Sequence, residues 1–488
     1  MPLSGRYALC LPTWLSIGIA ACALLSTSAL NAAELNHIRI HRFASFDSQL
    51  VEQGAKHANS TSGSRAAQRT QLNVFNRQLR LTLEDNQTVL ESLPANSRHA
   101  RVLRGQLEGN NQSWVRLTHA DDGTHGLIWD GAELYVVEPG DSIRSALSVA
   151  AGLPSSDTVI FRLSDTTVDL GAEYCGSADD NNHPAGQASA TTGLATYEAL
   201  TAELSAQAVA TGTPTLRLEM LALADAAFRA QYNSDQAALD ALTVRMNNID
   251  GIFSSQLGLE VQATNVQMYA SDPLALGNST DAGTLLSALG QLRKSSPVMS
   301  SYAVTHLFTG RDLDGDTLGI AYIGNICNAR YGASLSEVRN RGAWIDSLIA
   351  AHELGHQLGA VHDGTGSCSS TPAQGYLMDA KINGSNIFSQ CSQDTLLQTM
   401  QYAACLVPVG KPDLTISAAA SPLSVAPDSV LQWLVPIKNI GTGTANYISV
   451  HISLPAAVTV SSSSIPGGSC ISSNSTGSID CQFAGMES

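Results

Sequence analysis

The sequence predicts a multidomain chain with a β-rich amino-terminal region, a central α/β (α+β) domain and an all-β sandwich at the carboxyl end. Three observations predict it. With 488 residues, 44% of them hydrophobic and only 14% charged, the chain can bury roughly two to four separate cores and is too apolar for disorder. The hydrophobic period changes along its length, from alternating runs before about Leu200, through strands mixed with helical spacing, to short β runs after about Lys411. A histidine-rich stretch, His352 to Asp363, stands inside the mixed region. The net charge of −16, with no lysine- or arginine-rich block to offset it, argues against nucleic acid or an anionic membrane as a main partner.

Residues 1–33 read as an export signal, with Arg6 in a short basic region, an apolar run from Trp14 to Leu25, and small residues through Ala29 and Ala32–Ala33. The mature chain is therefore expected to be secreted. Ile19–Cys22 also resembles a lipobox, which would leave Cys22 lipid-anchored; this is the minor alternative, because the apolar run continues past the cysteine. No later stretch is long and apolar enough to span a membrane.

Residues 34–212 carry strand-like runs at Leu79–Leu83, Ser113–Leu117 and Glu133–Val137. They close on a segment from Ser177 to Gly212 rich in Ala, Ser, Thr, Gly and Asp, which reads as a linker. The central domain, 213–410, opens with Leu216, Leu218 and Met220 alternating with Arg217 and Glu219, as a first strand does. A helical pattern from Ser234 to Leu257 and a β run from Leu259 to Tyr269 follow. Helical spacing returns at Gly283–Arg293, and Tyr302–Thr309 and Thr317–Gly324 read as strands. The acidic turn Asp312, Asp314 and Asp316 lacks the other positions of a calcium loop and reads as solvated. A further helix is expected from near Ser336, packing Val338, Trp344, Ile345, Leu348 and Ile349 inward.

That last helix carries the chemistry. His352 and His356, four apart, lie one turn above the other on one helix face and can reach one metal ion. A tetrahedral catalytic zinc needs a third protein ligand and one open position. His362 is the candidate, provided the chain turns, and Gly359 between them can turn it because glycine takes positive φ without steric cost. Glu353 points away from its histidine neighbour and is free to act as general base on a zinc-activated water. A bare HExxH occurs by accident in ordinary helices. Here the glycine, third histidine and Asp363 are all in register, and Met378 follows in a turn-like GYLMD segment.

This extended pattern resembles the metzincin zinc proteases, and Asp363 directly after the third histidine resembles their reprolysin branch, the adamalysin and ADAM-type enzymes. The resemblance implies one catalytic zinc, protein or peptide substrates, and endopeptidase action. It implies a turn at Met378 that supports the histidines from below, and a substrate-pairing edge strand that includes Gly319, Ile320 and Ala321. Gly105 to Pro139 is similar to a reprolysin propeptide, so 34–212 is expected to keep a zymogen silent. Cys175, in the pair Cys175–Gly176, lacks an obvious partner, and a thiolate could fill the open zinc position as a cysteine switch; a buried or intermolecularly paired cysteine is the bland alternative. Cys327, Cys368, Cys391 and Cys405 allow three pairings, of which the resemblance implies Cys327–Cys405 and Cys368–Cys391. A structural calcium is doubtful: Glu219 matches one ligand of related enzymes, but Ala303 stands where an aspartate is expected.

Residues 411–488 show β runs at Asp413–Ile416, Val430–Ile437 and Ile448–Leu454, with Cys470 and Cys481 placed to pair locally. They resemble the immunoglobulin-like repeat modules of bacterial surface and secreted proteins, short for a full sandwich and possible carriers of a surface partner. The rival to a secreted zinc endopeptidase is a binding or adhesion protein that keeps a protease fold. Loss of a histidine or of Glu353 would favour it, and all are present.

Overall fold

The computed structural model describes residues 38–47, 68–91, 93, 99–144, 158–168, 174–177, 214–339, 341–373, 375–410, 413–417, 419–421, 426, 429–441, 443, 445–455, 458–473 and 477–486. The expected export signal, with Cys22, and the expected linker beyond Ser177 lie outside the described residues, and Cys175 is described by its backbone alone.

The amino-terminal part is one antiparallel sheet of eight strands with a small annex. The annex pairs β1 (Ile38–Ile40) with β10 (Thr166–Val168). The sheet holds β2 (Phe43–Ser45), β3 (Gln68–Val74), β4 (Arg77–Asp85), β5 (Arg101–Leu107), β6 (Asn110–Ala120), β7 (Gly123–Trp129), β8 (Leu134–Pro139) and β9 (Thr158–Arg162) in the order 2-9-8-7-6-5-4-3. It is a meander of hairpins, the cheapest way to join antiparallel strands. The β3–β4 turn uses Phe75 and Asn76, both at positive φ (50° and 62°), the backbone that matches the twist of a two-residue hairpin. Both faces are buried. Leu79, Leu81, Leu117, Tyr135 and Ile160 make a core of the sheet's own on one side. Trp114, Leu127, Trp129, Val136 and Phe161 on the other side join the same apolar cluster as Met246, Ile249, Phe253 and Trp344 of the central domain.

The central domain is a twisted, mainly parallel sheet between helices. Its strands are β12 (Leu216–Ala224), β13 (Leu259–Met268), β14 (Val304–Thr309), β15 (Thr317–Ala321) and β16 (Ala333–Glu337), in the order 15-16-14-12-13. All pair in parallel except β15, which runs antiparallel to β16 at the rim; β17 (Val407–Pro408) adds antiparallel to β12. Helix α1 (Asp235–Leu257) is opened by the Ser234 hydroxyl accepting from the Ala237 amide and closed by Gly258 at φ 62°. Helix α2 (Ala282–Ser295) is opened likewise by Asp281. Helix α3 (Ala343–Gln357) carries the HExxH stretch, and α4 (Gln390–Tyr402) follows it. A buried ion pair, Arg245–Asp346 at 2.6 Å, ties α1 to the first turn of α3.

The start of α3 differs from the sequence expectation. Ser336 and Glu337 end strand β16 and the helix begins only at Ala343. Ala333–Glu337 is buried at every position because it lies between β14 and β15, so Ser336 and Glu337, expected at the foot of an amphipathic helix, close an interior strand. Gly342, at φ 92°, makes the corner between them.

Disulfides close Cys327–Cys405, between the segment after β15 and the end of the domain, and Cys368–Cys391, around the segment that holds Met378. Beyond 410 the described residues form small sheets: β18 (Leu414–Ile416) with β21 (Ile437–Asn439), β19 (Ala419–Ser421) with β20 (Gln432–Leu434), and β22 (Ala445–Ser453), β24 (Ser478–Met486) and β23 (Gly468–Ser473) in that order. Cys470 and Cys481 face each other across β23 and β24 and are bonded.

Candidate metal centre

Helix α3 sets two histidines on its inner face, and the chain then folds back. The helix ends at Gln357, Gly359 sits at φ 99°, and the Gly359 amide donates to the His356 carbonyl at 2.8 Å. The reversal brings His362 beside the helix, where its Nε2 lies 3.3 Å from His352 Nε2 and 3.1 Å from His356 Nε2. His352 Nδ1 is 2.6 Å from the Leu377 carbonyl and His356 Nδ1 is 2.7 Å from the Ala360 carbonyl. A carbonyl only accepts, so both Nδ1 atoms carry the proton and both Nε2 atoms present a lone pair.

This donor set fits zinc. Ligand nitrogens about 2.0–2.1 Å from a tetrahedral ion stand roughly 3.4 Å apart, close to the separations found. His352 and His356 are fully buried and His362 nearly so. Burial, with the neighbouring imidazoles, pushes His352 well below its ordinary pKa, and burial lowers His362 to about 4. These two rings are therefore kept in the neutral form that ligates metal. Among the described residues they are the one group of three or more His, Cys, Asp or Glu side chains converging on a common point.

Glu353 is fully buried and reaches across to the rim strand. A Cβ on Gly319 of β15 would lie 2.5 Å from Glu353 Oε1, so the carboxylate rests against the bare backbone of that glycine. The structure thus brings Gly319 of the expected edge strand next to the expected general base, with Ile320 and Ala321 continuing along β15. Met378 is buried beneath α3, where a Cβ on Gly355 would be 2.6 Å from its sulfur. The Met378 carbonyl accepts from the Asp363 amide at 3.0 Å, and Asp363 Oδ1 accepts from the Ser389 hydroxyl at 2.6 Å, which fastens the turn after His362 to the foot of α4. Burial lifts both Asp363 and its neighbour Asp379, the latter to about 7 with Asp363 contributing.

One further strand lies on the rim. The backbone of β11 (Tyr174–Ser177) pairs in parallel with β15, Cys175 opposite Gly319 and Gly176 opposite Ile320. Sequence reasoning placed Cys175 in a segment that silences the site but gave no register for it.

Several supporting groups were not legible. The Leu377 and Ala360 carbonyls are backbone atoms with no sequence signature. Gly355 reads as any helical glycine. Gln357 donates to the Ala333 carbonyl at 2.7 Å and the Tyr322 carbonyl at 3.0 Å, tying α3 to both ends of the rim segment, where a polar residue at a helix end suggests only exposure. Near Ala303, the buried Arg293 guanidinium donates to the Met299, Tyr302 and Asn328 carbonyls and to the Thr305 hydroxyl, so these oxygens already answer to an internal cation.

Residues 215–392 match the family model of metallopeptidase family M12, Reprolysin_5. This segment is a reprolysin-type metzincin domain. The chain is 27% identical over 180 residues to a zinc metalloproteinase/disintegrin of Bitis gabonica, a match covering 36% of this chain and 54% of that protein. It is 28% identical over 186 residues to snake venom metalloproteinase H5 of Deinagkistrodon acutus, covering 37% of this chain and 45% of that one. The chain thus spans about half the length of these relatives. Metalloproteinase-II from Bacteroides fragilis, known from a crystal structure, aligns over 71% of this chain and 94% of its own with 10% identity and a TM-score of 0.41.

Proposed function

We propose that the chain is a secreted zinc endopeptidase made as a zymogen, with His352, His356 and His362 holding the ion and Glu353 acting as general base. The observation that carries this reading is the convergence of the Nε2 atoms of His352, His356 and His362 beside a carboxylate seated on the rim strand. When bound, zinc supplies positive charge that polarises the scissile carbonyl and acidifies water. The residues do the rest. Strand β15 offers its backbone to an extended substrate, fixing the peptide by main-chain hydrogen bonds. Glu353, between α3 and that backbone, takes the proton of the attacking water and returns it to the leaving amine. The Leu377 and Ala360 carbonyls hold the imidazole tautomers, and Met378 holds the floor under the histidines.

Residues 34–212 act as the propeptide and Cys175 as its zinc-directed switch. The pairing of β11 with β15, Cys175 opposite the glycine on which Glu353 rests, supports this, because the strand lies where a substrate would. The linker after it is open to a first activating cleavage. Residues 411–488 serve as an immunoglobulin-like module for a surface partner, a reading supported by their β content and local disulfide. An export signal at 1–33 and venom relatives support an extracellular site of action. Among the described residues no helix is long and apolar enough to cross a membrane.

The test is casein hydrolysis by the zinc-loaded full chain and its Cys175→Ala variant. The variant should exceed the native chain at least tenfold, lose activity to a zinc chelator and regain it with zinc. Equal rates would remove the switch, and no chelator-sensitive rate in either chain would remove the protease.

A further inference from the structure

The propeptide reading leaves open what becomes of the amino-terminal sheet once the linker is cut. That sheet does not rest on the reprolysin domain as a lid; it completes the domain's core. The axis of contact is α1 under β6. Arg116 of β6 pairs with Asp250 of α1 at 2.9 Å and donates to the Ser254 hydroxyl at 2.8 Å, and both ionic side chains are almost wholly buried. Asn86 donates to Asn247 Oδ1 at 2.9 Å and to Asp250 Oδ2 at 3.1 Å, while Asn247 Nδ2 reaches the Leu117 carbonyl at 3.2 Å and the Thr118 hydroxyl at 3.1 Å. At Gly251 the two parts approach so closely that a Cβ would stand 2.7 Å from Trp114 and Arg116 atoms. At the other end of the junction, the Trp344 amide in the first turn of α3 donates to Glu138 Oε1 at 3.1 Å, and the Trp344 ring meets Phe161 edge to face at 6.0 Å. The N-cap of α3, Gly342, makes no side-chain cap bond, so a carboxylate from the sheet supplies the negative group at that helix end.

Strand β11 differs in every respect. It has four residues and one backbone partner strand, at a rim. It also precedes the linker, so a cut within 178–213 leaves it covalently joined to a sheet that stays where it is.

We propose that residues 38–168 remain bound to the reprolysin domain after cleavage as a noncovalent subunit, docked on α1 and the start of α3. Separation would bare Trp114, Phe161 and Trp344 together and strand the buried Arg116–Asp250 pair, an apolar patch with an unpaired charge that a separated monomer would expose to water. A single cut in the linker therefore leaves β11 tethered over the site at high effective concentration, and the enzyme stays latent. A second cut between Val168 and Tyr174 frees β11 as a short peptide that dissociates, giving an active protease with the sheet still attached. This rests on the reading of 34–212 as a propeptide.

The experiment places recognition sites for a sequence-specific protease in 178–213 alone, or in both 169–173 and 178–213, of the full zinc-loaded chain. In a Glu353→Gln background, the sheet fragment should co-elute with the reprolysin domain at 1:1 on size exclusion after either treatment, including in 1 M salt; separate elution would overturn the proposal. With Glu353 intact, casein hydrolysis should rise at least tenfold after two cuts and stay at the uncut level after one. Full activity after one cut would overturn the tether. No activity in either arm would sink the endopeptidase reading while co-elution still decided the subunit. Unmodified chain gives a second readout: in urea, tryptophan fluorescence should show one transition for sheet and protease together, and an earlier separate loss of the sheet would contradict a shared core.

Discussion

Gly319 is the residue on which the rim strand and the proposed general base, Glu353, depend together. Because a Cβ there would meet Glu353 Oε1, Cγ and Cδ within 3 Å, Gly319→Ala forces the carboxylate out of place without touching a histidine. The expected outcome is a fall in kcat of about 10²-fold, on the order of the contribution of a positioned general base, with bound zinc unchanged by metal analysis. Loss of zinc instead would mean that the glycine supports the ligands and not the base. Two other histidines contribute to the pH response with opposite signs. His306 is fully buried between the Ser334 and Ser336 hydroxyls, and burial lowers it to about 3. The unfolded chain takes up a proton below about 6.5 that the folded chain refuses, so stability is intact above that pH and falls as pH drops from 6.5 towards 3. His125 has the opposite sign. Burial alone would lower it, but Glu138 and Asp122 outweigh that and raise it to about 9. Its contribution is complete below pH 6.5 and is lost as pH rises through 9. Urea midpoints measured across pH should therefore show His306→Gln flattening the acid limb and His125→Gln the alkaline limb; unchanged limbs would contradict both assignments.

At the scale of elements, the proposed zinc site is a helix, a glycine turn and a methionine turn fastened to one another, and the sequence disclosed these unevenly. The spacing of His352, His356, Gly359 and His362 is a statement about helix geometry and positive φ, so it could be read directly. The limits of α3 could not, because Ala333–Glu337 has the composition of a helix foot and becomes a strand only through neighbours on both sides. Nor could the carbonyls of Leu377 and Ala360, which any side chain would leave in place. The segment around Met378 is short of regular structure and is closed by Cys368–Cys391 across 23 residues. Replacing both cysteines by serine should cost about 2–4 kcal/mol, read as a lower urea midpoint, with zinc lost at lower chelator concentration because the Leu377 carbonyl loosens from His352. A lower midpoint with unaltered zinc retention would separate the disulfide from the metal centre.

At the scale of the whole molecule, the polar residues of α1 explain why domain boundaries and domain independence differ. Asn247, Asp250 and Ser254 are polar side chains of one helix, yet all are buried under the amino-terminal sheet and matched by Arg116, Asn86 and main-chain carbonyls. Sequence patterning marks where one period gives way to another; it does not show which polar face waits for a partner. The same molecule thus holds a legible zinc motif and a junction that only the fold discloses.

The most direct measurement is hydrolysis of casein by the zinc-loaded Cys175→Ala chain beside the same chain carrying Glu353→Gln. An endopeptidase working through Glu353 predicts new peptide termini in the first, abolished by chelator, and a rate lower by about 10²–10⁴-fold in the second with equal bound zinc. Equal rates in the two chains, or no cleavage by a folded chain that binds one zinc, would contradict it.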